Sequence, residues 1–365
     1  MPFQIIRSDI TTVKADVIVN TANPYPVIGN GTDSAVYRAA GEQLLLAERK
    51  RIGNIAPGQA AVTPAFNLPA RFIIHTVGPV WVDGNHGERD ILHSCYEKSL
   101  SKAAELKADS IAFPLIATGV YGFPRDEALN IALAEIGKFL LTHDMKVILV
   151  VFDRKAFELS GLLVGDIDEF IDDHGVQIAR ETEYGVSMNR LESRGMEWTG
   201  MPADGKLFRR GTERTDTEEE EELFDGAPAP MDPTSEPFMD VENESLDDVL
   251  QHTGDTFQQK LFELIDASGM DDVTVYKKAN IDRKVFSRIR CKEDYKPKKK
   301  TAVAFAIALQ LDMPTMLDLL SRAEIAFSPS NKFDLVITYF VTHGIYDIYE
   351  INAALFKYGQ PILGE

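Results

Sequence analysis

From Lys146 to Phe152 the chain reads Lys-Val-Ile-Leu-Val-Val-Phe, five aliphatic residues in a row that leave neither face of a strand polar. Such a strand must be covered on both sides, which an all-antiparallel surface sheet cannot offer but a sheet between helices can. Val17-Ile18-Val19 has the same character. Over residues 1 to about 180 the pattern predicts strands at Phe3–Arg7, Asp16–Asn20, Ala60–Thr63, Phe72–Val77, Ser110–Pro114 and Lys146–Phe152. Between them it predicts helices at Asp33–Ala40, Gly41–Arg51, Glu88–Leu106, Asp126–Thr142 and Lys155–Asp173. That alternation defines an α/β domain with helices on both faces of a buried sheet.

The pattern breaks near Tyr184. Residues 205–254 hold fifteen acids against four bases, including Glu218–Glu222, and then a Pro-rich stretch. This composition cannot bury enough apolar surface to offset its ordering entropy, so it reads as a flexible linker. The glutamate run suits a solvated spacer or a mimic that competes for a basic partner. From Thr256 helical periodicity returns without strands. Ala302, Phe305, Ala306 and Leu309 recur at helical spacing, Ser330 and Asp347 look like N-caps, and about six helices are expected. At 365 residues the chain has room for about two domains. The division read here is 1–183 (α/β), 184–254 (linker) and 255–365 (all-α).

Composition removes several classes. A formal charge of −19 argues against coating nucleic acid along the whole length. Two cysteines, Cys95 and Cys291, exclude a disulfide framework or a Cys-rich zinc site. The start lacks a signal-peptide core, and no apolar run is long enough to span a bilayer. A soluble, cytoplasmic chain with no membrane partner is expected.

Two glycine-bearing loops follow strands and precede helices. One runs from Asn23 to Asp33 and contains Gly29-Asn30-Gly31-Thr32; the other is Thr118-Gly119-Val120-Tyr121-Gly122-Phe123. Glycines let backbone N–H groups approach a ligand, and helix N-termini favour anions, so each loop suits a phosphate. Neither is a Walker loop or a dinucleotide fingerprint, and pattern alone leaves tight turns open as an alternative.

Ser8-Asp9-Ile10-Thr11, Val19-Asn20-Thr21-Ala22-Asn23, the Gly29–Asp33 loop, Ile74-His75-Thr76-Val77-Gly78-Pro79 and Thr118–Gly122 together resemble a macrodomain, and most of all the MacroD-type ADP-ribosyl hydrolases, over roughly residues 1–175. The resemblance implies an α/β/α sandwich with a mixed sheet that binds ADP-ribose at the strand ends and hydrolyses its esters. It implies that Asp9 accepts from the adenine amino group beside Ile10, and that Phe152 stacks on adenine. Gly119–Gly122, with Thr118, would wrap the diphosphate, and Phe123 would sit near the distal ribose. Asn23, after Ala22, would hold a ribose hydroxyl, and Asp33 would be the catalytic carboxylate. Asp33 would orient a water and take its proton. At a helix N-terminus, with a reference pKa of about 3.9, it is expected to be ionised. Where the family reads Gly-Gly-Gly-Val-Asp-Gly, this chain has Gly29-Asn30-Gly31-Thr32-Asp33-Ser34; Asn30 tolerates positive φ. Pro24 and Pro26 stiffen the approach. No cofactor and no metal is implied: His86 and His93 lack ligand spacing, while His75 and Cys95 read as packing residues. A non-catalytic ADP-ribose reader is the alternative.

Residues 274–301 hold eleven bases against three acids. Thr274–Ala279, the turn Asn280-Ile281-Asp282 and Arg283–Arg290 resemble the helix-turn-helix of phage-repressor-like domains. That resemblance implies DNA or RNA as a partner, with Arg283, Lys284, Ser287 and Arg290 toward the groove and Lys298 and Lys299 among the phosphate contacts. A protein-interaction module with a solvated basic face is the alternative. The last two helices, outside the minimal motif, suit dimerisation.

Overall fold

A computed structural model describes residues 2–152, 163–172, 255–292 and 295–364. The linker at 184–254 and the first part of the helix expected at Lys155–Asp173 lie outside the described residues; within the latter, 163–172 is helical.

Six strands form one mixed sheet: β1 (Phe3–Arg7), β2 (Val17–Thr21), β3 (Ala60–Pro64), β4 (Phe72–Thr76), β5 (Ser110–Pro114) and β6 (Lys146–Val151), in the order β1-β6-β5-β2-β4-β3. All neighbours are parallel except β3, which runs antiparallel to β4 at the edge. The doubly apolar strands sit as their composition requires. Ile18, Ile73, Ala112 and Ile148 face a core with Val36, Tyr37, Ala40 and Leu45, contributed by α1 (Thr32–Ala40) and α2 (Glu42–Ile52). Their strand neighbours Val17, Val19, Ile111, Phe113 and Leu149 face the opposite core, built on α3 (Glu88–Glu105) and α4 (Arg125–Thr142). This is the expected three-layer sandwich.

Among the described residues from 255 on there are seven helices, one more than the periodicity suggested: α5 (Phe257–Ser268), α6 (Asp272–Lys278), α7 (Arg283–Cys291), α8 (Lys299–Ala308), α9 (Met313–Ser321), α10 (Lys332–Thr342) and α11 (Ile348–Lys357). Side-chain caps fix most of their starts. Thr256 and Gln259 form a capping box for α5, while Asp282, Asp312 and Asp347 cap α7, α9 and α11. Asn331, not Ser330, caps α10, because its side chain reaches Phe333 N; Ser330 pairs with Ser328.

The helical region and the sandwich form one compact unit with a shared core. α11 packs on β1 and α4, and α6 packs on α4. The Phe3 and Tyr349 rings meet edge to face at 5.3 Å, and a Cβ added to Gly137 would come within 2.9 Å of Tyr349. Asn280, at φ 52°, turns the chain between α6 and α7 as its residue type suggests. Its side chain then completes the sheet edge: Oδ1 accepts from Phe3 N at 2.8 Å, and Nδ2 donates to Phe3 O at 3.1 Å. The two terminal helices expected to suit dimerisation are instead largely buried within this chain, through Val336, Phe340, Ile351 and Leu355. No helix among the described residues is long and apolar enough to cross a membrane.

Candidate active site

The carboxyl ends of β1, β2, β5 and β6 open onto one groove with two adjoining halves. The first, about 450 Å³, is lined by Ser8, Asp9, Ile10, Gly31, Thr32, Ala35, Arg38, Leu115, Thr118, Val151 and Phe152 among others. The second, about 440 Å³, is lined by Asn23, Gly29, Asn30, Gly31, Thr32, Asp33, Thr118, Gly119, Val120, Tyr121, Arg125 and Phe152 among others. Gly31, Thr32, Leu115, Thr118 and Phe152 belong to both, so the halves are continuous across the start of α1. Helix α1 has no side-chain cap at Gly31, which leaves its first-turn amides and the positive end of its dipole facing the groove.

At the first end, Asp9 Oδ1 accepts from Thr11 N at 2.9 Å and from Thr11 Oγ1 at 2.8 Å. That pairing fixes the carboxylate and leaves Oδ2 for a ligand donor. Phe152 is 78% exposed, an unusual state for a phenyl ring and one open to stacking. In the middle, Ala117 takes φ 64°, a left-handed conformation that is costly for alanine and turns the chain into the Thr118–Gly122 loop.

At the second end, Asp33 is 2% exposed. Its Oδ1 accepts from Asn20 Nδ2 at 2.6 Å and its Oδ2 from Gly29 N at 2.6 Å. A Cβ on Gly29 would press on Oδ2 at 3.0 Å, so glycine is what lets the loop close on the carboxylate. Burial adds an effect that the helix-end position alone did not suggest. Burial raises the Asp33 pKa against the lowering effects of the Asn20 and Gly29 hydrogen bonds and the Arg49 charge. A raised pKa makes Asp33 a stronger base than a surface aspartate.

Behind Asp33 runs a buried polar chain that the sequence reading did not assemble. Asn20, on the apolar β2 and fully buried, also places Nδ2 3.2 Å from His75 Nδ1, and His75 Nε2 lies 2.9 Å from Thr63 Oγ1. Since Nδ1 accepts, Nε2 carries the proton and donates to Thr63. Burial, and secondarily the Arg49 charge, hold the His75 pKa down at about 3, so the ring stays neutral. The signal for Asn20 was present: an amide inside an otherwise apolar strand has to find a partner.

Ala22, Gly122 and Phe123 do not line either half of the groove. Phe123 is 2% exposed and meets Trp81 edge to face at 4.6 Å, so it turns away from the groove, where its expected role would place it; Val120, Tyr121 and Arg125 line that half instead. The positive φ in the Gly29–Ser34 loop falls on Gly31, so Asn30 needs no unusual conformation. Cys95 is buried, its thiol donating to Val77 O at 3.2 Å. Asp83, His86 and Glu88 place ligand atoms within 4.8 Å of one another, a grouping that spacing alone did not suggest. The Glu88 carboxylate there closes the preceding turn, accepting from the backbone N–H of Val82, Gly84 and His86.

In the helical region Lys284, Ser287 and Arg288 lie on one exposed face of α7 with Arg283. Arg290 is paired with Asp272. Lys299 is committed inward: Nζ lies 2.6 Å from the buried Asp334 carboxylate and 2.8 Å from Ala326 O, so it is a structural cation rather than a free phosphate contact. Lys298 also has an interaction partner.

Sheet, groove and buried carboxylate together define a ligand-binding α/β/α domain. Residues 19–132 match the family model described as Macro domain. A macro domain-containing protein of Chlorobaculum tepidum is 48% identical over 135 residues, which cover 37% of this chain and 78% of that one. A protein of Escherichia fergusonii named O-acetyl-ADP-ribose deacetylase is 44% identical over 165 residues, covering 44% and 93% respectively. The Oceanobacillus iheyensis macrodomain with ADP is 39% identical, covers 42% of this chain and 84% of that one, and superposes with a TM-score of 0.40. The chain belongs to the macro domain family.

Proposed function

We propose that this protein is a hydrolase that releases mono-ADP-ribose from ester linkages, O-acetyl-ADP-ribose or ADP-ribosylated acidic side chains. One observation carries the reading. A buried carboxylate, Asp33, is held by Asn20 and Gly29 at one end of a groove whose other end offers Asp9 and an exposed Phe152. The relatives named O-acetyl-ADP-ribose deacetylase support it. In this reading the groove holds ADP-ribose with adenine against Phe152, the diphosphate at the start of α1 and the Thr118–Gly122 loop, and the distal ribose by Asn23.

Water, oriented by Asp33, adds through its oxygen to the ester carbonyl carbon as its proton passes to the carboxylate. The adduct then collapses. The bond between carbonyl carbon and ribose oxygen breaks, that oxygen takes the proton from Asp33, and the products are a carboxylic acid and ADP-ribose. Positioning supplies much of the rate, because a carboxylate is a modest base. The test is product analysis on defined ADP-ribosyl esters. Release by the wild type and its loss in Asp33→Ala support the reading; tight ADP-ribose binding without release favours the non-catalytic reader.

A second reading concerns the exposed basic face of α7, where Lys284, Ser287 and Arg288 suit a nucleic-acid backbone. Against a groove-reading role, Arg283 and Lys284 share a cavity with Asp109 and Asp144 of the sandwich. Duplex binding by the full chain that falls steeply with salt and weakens in Lys284→Ala and Arg288→Ala supports it.

A further inference from the structure

Arg49 is among the largest fully buried side chains of the described residues, 1% exposed, on an otherwise solvated turn of α2 between Glu48 and Lys50. Its Nη1 donates to Gly53 O at 3.0 Å and its Nη2 to Asn23 O at 3.2 Å, while Nε–H has no hydrogen-bond partner. Among the described residues it forms no ion pair, so the guanidinium is buried without a carboxylate in contact. Buried charges are normally paired, because taking them out of water is costly. What surrounds this cation is the site itself. Its charge reaches Asp33 and His75, and the Tyr37 hydroxyl lies beside it.

Resting on the hydrolase reading, we infer that Arg49 is the positioning residue of the site: from beneath, it anchors the Asn23 carbonyl and supplies the buried positive charge on the Asp33 side of the groove. The two ends of one loop are held by different residues of the site. Asn23 opens the loop and is held by Nη2; Gly29 closes it and is held by Asp33 Oδ2. The guanidinium thus fixes the residue proposed to hold the ribose and biases the protonation of the residue proposed to take the proton. The hydrogen bonds from Asn20 and Gly29 also favour the Asp33 anion, but no other group facing it from the buried side brings a positive charge. Asn20 of β2 is uncharged, His75 of β4 stays neutral, and the Tyr37 hydroxyl of α1 and the Tyr121 hydroxyl of the loop hold their protons through neutral pH, both pushed upward by burial. Arg125 of α4 lines the same half-groove and belongs to its open wall, not to the buried floor.

The test reads Asp33 directly. In full-length protein carrying carbon-13 at aspartate Cγ, the Asp33 resonance is identified by its absence in Asp33→Asn and titrated with pH, beside the pH profile of ester hydrolysis. In Arg49→Gln, which keeps donors but not charge, the Asp33 midpoint and the acid limb of turnover should both move to higher pH by about one unit, a tenfold loss on that limb. ADP-ribose affinity by calorimetry should change less than about threefold, since no part of Arg49 lines the groove. Arg49→Lys should keep the midpoint within about 0.3 units of the wild type. An unmoved midpoint in Arg49→Gln overturns the proposal. If Arg49→Gln gives no cooperative thermal transition, Arg49→Lys decides: a raised midpoint there overturns it equally. A wild type that hydrolyses no ester sinks the hydrolase reading alone, because the titration still reports whether Arg49 governs Asp33.

Discussion

Asn20 Nδ2 stands 2.6 Å from Asp33 Oδ1 and 3.2 Å from His75 Nδ1, so one buried amide ties the site carboxylate to the middle of the sheet. Replacing it by alanine leaves Asp33 and His75 each short of a partner. Asn20→Ala should lower the turnover of an ADP-ribose ester at least tenfold and cost about 1–3 kcal/mol of stability. Initial rates and urea melts read the two effects; an unchanged rate in a folded variant removes Asn20 from the machinery.

The raised Asp33 pKa has two consequences of opposite use. Turnover should climb with pH on a limb above the ordinary aspartate range, because only the anion takes a proton from water. For stability the sign reverses. The folded state holds this proton more tightly than the unfolded chain, so the contribution of Asp33 is fully present below the unfolded pKa and is lost as pH rises through the folded one. As pH rises above the unfolded aspartate pKa of about 4, Asp33→Asn should therefore gain stability relative to the wild type. Melting both proteins across that rise in pH checks the direction.

Phe152 is an exposed ring that borders both halves of the groove. Phe152→Ala should weaken ADP-ribose binding by about 1–3 kcal/mol through lost base stacking. Isothermal calorimetry with equal affinities for variant and wild type would place the adenine elsewhere.

Tyr349 links the helical region to the sandwich through Phe3 and Gly137. Tyr349→Ala should cost about 3–5 kcal/mol, the range for truncating a large buried aromatic. Because the core is shared, the loss should appear in one thermal transition. A melt in which only part of the signal moves would mean that the two regions unfold independently.

Lys299 offers a contrast between structure and binding. Lys299→Ala strands the buried Asp334 carboxylate and should destabilise the fold by about 3 kcal/mol, the lower end of such losses because Lys299 is partly exposed. Salt-dependent duplex binding, if the full chain shows it, should be unaffected at temperatures where the variant is folded.

Local pattern was enough for much of this protein. The aliphatic run at Val147–Val151 required a sheet covered on both faces, the two glycine loops marked its strand-to-helix edge, and Asp347 began a helix where a short polar side chain can cap it. These properties depend on residues within one or two turns of each other. The tertiary structure alone decided the rest. Strand order could not be read from runs that are equally apolar. Phe123 went under the loop rather than into the groove, because Trp81 supplies an aromatic partner 42 positions earlier in the chain. Arg49 looks like any basic residue in Glu48-Arg49-Lys50-Arg51, and only the closure of the Asn23–Gly29 loop over α2 removes its guanidinium from water. Nor does the basic stretch around α7 reveal that Asn280 completes the sheet edge at Phe3, 277 residues away. Burial and partnership of polar groups are set by contacts between distant segments, and no local periodicity encodes them.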